Sequence, residues 1–135
     1  MRSRAVFAFL IGLVATASVV AAEVQVTLSG SEEVPAVETS ATGTGTITVN
    51  DDKTVSGSIK TTGVEGIAAH IHLAAPGKNG PPIVTLVKSG DDTWVVPEGT
   101  KLTDEQYASF KAGELYVNVH SAAHKAGEIR GQLKP

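Results

Sequence analysis

The chain has 135 residues, no cysteine, one methionine and a formal net charge of −3. That length suits a single domain. The mildly acidic balance with scattered lysines gives no electrostatic footprint for nucleic acid, and the lack of cysteine excludes both a disulfide framework and thiolate metal sites.

The chain opens with Met1-Arg2-Ser3-Arg4, continues as an apolar run from Ala5 to Ala15 and reaches Val20-Ala21-Ala22 just before Glu23. A basic start, an apolar centre and small residues at the end are the features of a secretory signal peptide, so residues 1–22 are read as a leader and 23–135 as the mature domain. The competing reading is an uncleaved membrane anchor, since Ala5 to Ala22 approaches the roughly 18 apolar residues that a spanning helix needs. Thr16, Ser18 and the many alanines make it a poor stop-transfer segment. Cleavage removes Arg2 and Arg4 and no acid, so nine basic residues face 14 acidic ones and the mature charge is −5. Met1 leaves too, so the mature chain carries no sulfur and offers no soft site for Cu⁺. These features predict a periplasmic or secreted protein that is free of the membrane after cleavage.

The mature chain begins with an alternating segment in which Val24, Val26 and Leu28 face one way and Glu23, Gln25 and Thr27 the other, predicting a half-buried strand that stops at Ser29-Gly30. Ser31 to Ala41 holds Pro35 and no period, and is read as irregular or as an edge. Thr44 to Val49 and Thr54 to Lys60 form a predicted hairpin about Asn50-Asp51-Asp52-Lys53. Gly66 to Leu73 is a strand with Ile67, Ala69, Ile71 and Leu73 in an apolar row and Ala68, His70 and His72 on the other face. A turn-rich loop, Ala74 to Pro82, follows, and then two short strands, Ile83 to Val87 and Thr93 to Val96. Thr103 to Ala112 is the single predicted helix: Thr103 and Gln106 make a capping box, Leu102 and Tyr107 a staple, Tyr107 and Phe110 a buried stripe, and Gly113 a stop. Two strands close the chain. In Glu114 to His120, Leu115, Val117 and Val119 alternate with Tyr116, Asn118 and His120; in Gly127 to Lys134, Ile129, Gly131 and Leu133 alternate with Glu128, Arg130 and Gln132. The whole predicts an all-β domain, an antiparallel β-sandwich of seven or eight strands with one short helix.

All four histidines fall in two short windows, His70 with His72 and His120 with His124. Positions i and i+2 of a strand lie roughly 6.5 Å apart on one face, a span that two imidazoles can close around one ion. His120 ends a strand with a matching polar face, and His124 sits in the following loop, able to fold back. Three or four neutral imidazoles without thiolate suit Zn²⁺ or Cu²⁺. The plainer alternative is a hydrogen-bonded network on the sheet, with Tyr116, Asn118, Glu128 and Arg130 as structural partners. Catalytic readings are weaker. Ser121 adjoins His120 and lies near Glu128, but no strained turn or oxyanion hole accompanies it. The acidic pairs Glu32-Glu33, Asp51-Asp52 and Asp91-Asp92 sit in turns, where solvated carboxylates are expected. Gly77 and Gly80 suit a tight loop rather than a phosphate cradle, and Trp94 reads as packing.

Ala69-His-Ile-His72, Pro76-Gly-Lys-Asn-Gly-Pro81, Leu102-Thr103, Gly113-Glu-Leu-Tyr-Val-Asn-Val-His-Ser121 and Gly127-Glu-Ile-Arg-Gly-Gln-Leu133 occur in this order. Together they closely resemble the CHRD domain, the module named after chordin and also found alone in bacterial exported proteins. Leu28-Ser-Gly-Ser-Glu-Glu-Val-Pro35 and Gly43-Thr-Gly45 resemble the amino-terminal part of the same domain. The resemblance implies an extracytoplasmic all-β domain with a binding rather than catalytic role. His70, His72, Tyr116, Asn118, His120, Glu128 and Arg130 match its pattern; His124 departs from it. By analogy the outer-face His-x-His strand is similar to the copper strand of Cu/Zn superoxide dismutase, another sandwich, although the disulfide and bridging zinc loop of that enzyme have no counterpart here. The expected function is non-catalytic binding of a copper or zinc ion by His70, His72 and His120, with His124 as an optional fourth ligand and Tyr116, Asn118, Glu128 and Arg130 orienting the rings. The alternatives are an envelope-protein interaction module without metal and, as a lesser one, a dismutase-like copper enzyme.

Overall fold

The computed structural model describes residues 8, 10–13 and 20–135, so most of the predicted leader lies outside the described residues. Among the described residues no helix is long and apolar enough to cross a membrane.

Nine strands form in chain order: β1 (Ala21–Ser29), β2 (Thr42–Asn50), β3 (Val55–Thr62), β4 (Gly66–Leu73), β5 (Pro82–Thr85), β6 (Val87–Lys88), β7 (Thr93–Val95), β8 (Leu115–Ser121) and β9 (Ile129–Leu133). One helix, α1 (Asp104–Lys111), precedes β8. The strand order is β5-β4-β8-β9-β1-β2-β3-β7-β6, with every pairing antiparallel. The expectation of an all-β antiparallel fold with one short helix holds; the strand count is nine because the segment read as one strand over Ile83–Val87 breaks at Leu86.

The sheet is jointed and nearly closed. β9 and β1 share a single register pair, Ser29 with Arg130, which lets the strands on either side fold over each other as two layers of a sandwich. At its far ends the sheet curls back on itself: Leu86 N–H donates to Ala69 O at 2.9 Å and Lys88 Nζ to Gly66 O at 3.2 Å. Between the layers lie Ile47 and Ile59 from one and Ile71, Val117, Ile129 and Leu133 from the other, all essentially without solvent contact. Full burial of such side chains contributes about 1.5–3 kcal/mol each.

Local sequence explains the elements that frame the site. The capping box forms as predicted, with Gln106 N–H donating to Thr103 Oγ1 at 3.2 Å and Thr103 N–H to Gln106 Oε1 at 2.9 Å. Gly113, at φ 75°, ends the helix in the left-handed conformation that glycine adopts without strain. Phe110 is fully buried beneath the helix.

Two expectations about strand faces change. Ile67 is turned to solvent, 60% exposed, because the β4–β8 register shifts between Gly66 and Ala68 and breaks the alternation there. The face carrying His70, Tyr116 and Arg130 is not an open outer surface either. The loop Ala74 to Pro82 and the segment after β1 lie across it, joined by Asn79 Nδ2 donating to Val34 O at 2.7 Å and anchored by Gln132 Nε2 donating to Ala74 O at 2.9 Å. Tyr116, Asn118 and Arg130 are therefore as buried as the apolar residues with which they alternate.

Candidate metal centre

The β4–β8 register sets Ala68 opposite His120, His70 opposite Asn118 and His72 opposite Tyr116. His120 is thus the diagonal neighbour of His70 on the same face, a distance that long side chains close. His70 Nδ1 lies 3.2 Å from His120 Nε2, and one nitrogen from each of His70, His72 and His120 lies within 4.8 Å of the other two. The ring centroids are 5.0–5.9 Å apart. Among the described residues this is the one group of three or more potential ligands gathered so closely.

Backbone carbonyls fix which nitrogens face inward. His72 Nδ1 donates to Gly80 O at 2.9 Å and His120 Nδ1 to Lys125 O at 2.8 Å. A carbonyl oxygen only accepts, so in the neutral rings both Nδ1 atoms carry the proton and both Nε2 atoms carry the lone pair. His70 Nδ1–H then donates into His120 Nε2. His72 Nε2 is buried and has no hydrogen-bond partner, a costly state for a polar atom inside a protein. Burial, reinforced by the neighbouring imidazoles, pushes His70 below the ordinary histidine pKa of 6.5; burial does the same for His72, partly offset by its bond to Gly80 O. Burial thus favours the neutral form of both rings, the charge state that ligation needs.

A column of stacked groups supports His72. Tyr116 lies parallel to its ring, with centroids 4.8 Å apart and 3° between the planes. The Arg130 guanidinium sits over Tyr116 at 3.5 Å. Arg130, although fully buried, meets only neutral partners, Gln132 Oε1 at 3.2 Å and Asn79 Oδ1 and Ala75 O at 3.4 Å. The Tyr116 hydroxyl accepts Gly80 N–H at 3.2 Å, so the residue that orients His72 is itself pinned to β8.

The donor set fits Zn²⁺ or Cu²⁺. Bonds of about 2.0 Å at tetrahedral angles place ligand nitrogens about 3.3 Å apart; the His70–His120 pair already meets that spacing, and the wider separations close with small side-chain rotations. His70 needs only to move its proton to its other ring nitrogen. His70 and His120 are half-buried, leaving one side of the centre toward solvent.

The other expected site residues are placed differently. His124 is not in the cluster; it lines a neighbouring cavity of about 440 Å³ together with Glu33, Pro35, Val37 and Lys125. Glu128 does not orient a ring: it accepts from Ser121 Oγ at 2.7 Å and Thr39 Oγ1 at 2.8 Å, holding the end of β8 to the segment before β2. Asn118 lies beside His72, and Arg130 acts on it only through Tyr116. Glu33, read from sequence as a solvated turn acid, is 6% exposed, and burial raises its carboxyl pKa to about 7 against the lowering effects of Asn118 and Arg130. The apolar run Val34-Pro35-Ala36-Val37 after it was the available signal that this segment packs rather than floats.

The CHRD domain family model matches residues 24–133, nearly the whole chain. The chain belongs to the CHRD domain family. No curated protein and no solved structure gives a significant match to it. In this CHRD domain the histidines of β4 and β8 are thus the ones that meet, while His124 stands apart.

Proposed function

We propose that this CHRD domain is an exported, non-catalytic metal-binding protein that holds one Cu²⁺ or Zn²⁺ ion through His70, His72 and His120. The observation that carries the reading is the gathering of His70, His72 and His120, each offering a ring nitrogen within 4.8 Å of the other two, while His72 Nδ1 is held by a carbonyl and its buried Nε2 has no hydrogen-bond partner. Carbonyl-bound imidazoles are the usual arrangement around protein-bound metals, because the outer bond fixes both tautomer and ring orientation. The surrounding groups, a Tyr–Arg stack, an amide and two backbone carbonyls, orient and insulate rather than transfer protons. The basic and apolar amino-terminal pattern supports a periplasmic or secreted location, where the ion would be met.

Titration of the purified protein with each ion tests this, with one ion bound per chain expected at pH 7.5. Protonated imidazole cannot ligate, and His70 and His72 titrate below 6.5. The affinity loss should therefore steepen below about pH 6.5, as successive histidine protons compete with the ion. Sub-stoichiometric binding, or affinity unchanged between pH 7.5 and 5, would contradict the reading.

A further inference from the structure

We propose that Glu33 is an internal counter-ion to the histidine centre, holding a proton while the centre is empty and releasing it when a divalent cation binds. The proposal rests on the metal-binding reading above and deepens it by adding a regulator from outside the ligand set.

The three buried side-chain atoms without hydrogen-bond partners among the described residues belong to His72, Asn118 and Glu33, and Asn118 adjoins both of the other residues. Asn118 is the middle member. Its amide lies beside His72, and its Nδ2 and Glu33 Oε1 face each other across Gly127, each 2.5 Å from the point where a Cβ on that glycine would stand. Gly127 has φ 126°, a conformation that other residues rarely adopt, so the contact depends on the glycine. Asn118 thus links a buried carboxyl to a ring of the centre, an under-satisfied polar run through which a change of charge at one end reaches the other.

The charges facing Glu33 explain why it keeps its proton up to about pH 7 while the centre is empty and why an ion would change that. From β9 comes Arg130, fully buried and without a carboxylate in contact. Glu128 is turned away to Ser121 and Thr39. Glu38, His124 and Lys125 stand around the cavity that Glu33 also lines. The single guanidinium does not overcome the burial cost of the carboxylate. Two further positive charges beyond Asn118 would leave the region with an uncompensated buried excess, which an ionised Glu33 relieves. The step is M²⁺ + Glu33–COOH → M²⁺·Glu33–COO⁻ + H⁺: the O–H bond breaks, its electron pair stays on the carboxylate, and the proton leaves through the cavity, with no change of oxidation state.

Calorimetric titration with Zn²⁺, repeated in two buffers of different ionisation enthalpy, counts the protons released per ion. At pH 6.5 the wild-type protein should release about 0.5 proton more than Glu33→Gln, a difference that vanishes by about pH 8.5. At pH 8 the variant should bind zinc about tenfold more weakly. The carbon-13 resonance of the Glu33 carboxyl gives a second reading independent of any variant: its titration midpoint should fall by about one pH unit on zinc loading. Zinc binding with equal proton release in the two proteins, or an unmoved midpoint, overturns this proposal alone. Should zinc not bind, the same titrations are run with Cu²⁺, and failure of both ions to bind the wild-type protein overturns the metal-binding reading with it.

Discussion

Replacing His72 with alanine is expected to weaken Zn²⁺ or Cu²⁺ binding by more than about 100-fold, since even residues that merely orient a ligand cost 10–100-fold when lost. His72 supplies the buried nitrogen with no other partner. Its removal also leaves Gly80 O without the Nδ1–H donor and Tyr116 without its stacked ring, costing about 1–2 kcal/mol of stability in the ion-free protein. His124→Ala is the matched control: that residue lines the adjacent cavity, and its loss should leave affinity within about twofold. Competition with a chromophoric chelator measures both. The same contrast appears in melting curves. An ion present at 100 times its dissociation constant stabilises the folded state by about 2.7 kcal/mol, on the order of 10 °C for a domain of this size, and the His72 variant should show almost none of that shift.

The second large effect is expected at Gly80, which contributes no side chain to the centre. A Cβ there would stand 1.8 Å from Leu73 O and 2.9 Å from Ala74 Cβ. The loop Ala74 to Pro82 would have to move, and with it the carbonyl that holds His72 Nδ1 and the N–H that holds Tyr116. Gly80→Ala should lower metal affinity by about 10–100-fold and stability by about 2–3 kcal/mol. Gly77, in the same loop, separates this from a general loss of loop flexibility. It has φ 78° and open space around it, so Gly77→Ala should cost only about 1 kcal/mol of backbone strain and leave affinity unchanged. Chelator competition and chemical denaturation of the two variants together check the contrast.

Strand alternation made the histidine cluster legible from sequence because it fixes which residues share a face. His70, His72 and His120 were placed together on that ground, and the pairing of β4 with β8 brings them into contact. The capping box, the glycine stop and the β2–β3 hairpin were equally readable, being set by neighbours a few residues apart. Alternation does not say what lies over a face. The cover formed by the Ala74 to Pro82 loop comes from contacts such as Arg130 with Ala75, 55 residues apart in sequence, and it turns an apparently solvated row into a buried one. For the same reason the sequence pattern sets Glu33 in a solvated turn and Arg130 on the non-core face, although both are buried. Ile67 was misplaced by a single-residue register shift that no local pattern announces, and the ninth strand by a break at Leu86, where the chain leaves one sheet end to start the other.

X-ray absorption by the loaded protein tests most directly whether three rings converge on one cation. Convergence predicts three imidazole nitrogens at about 2.0 Å from a single bound Zn²⁺ or Cu²⁺, with the multiple-scattering signature falling to two rings in His120→Ala. A spectrum dominated by oxygen ligands, or by one imidazole unaffected by that substitution, would contradict it.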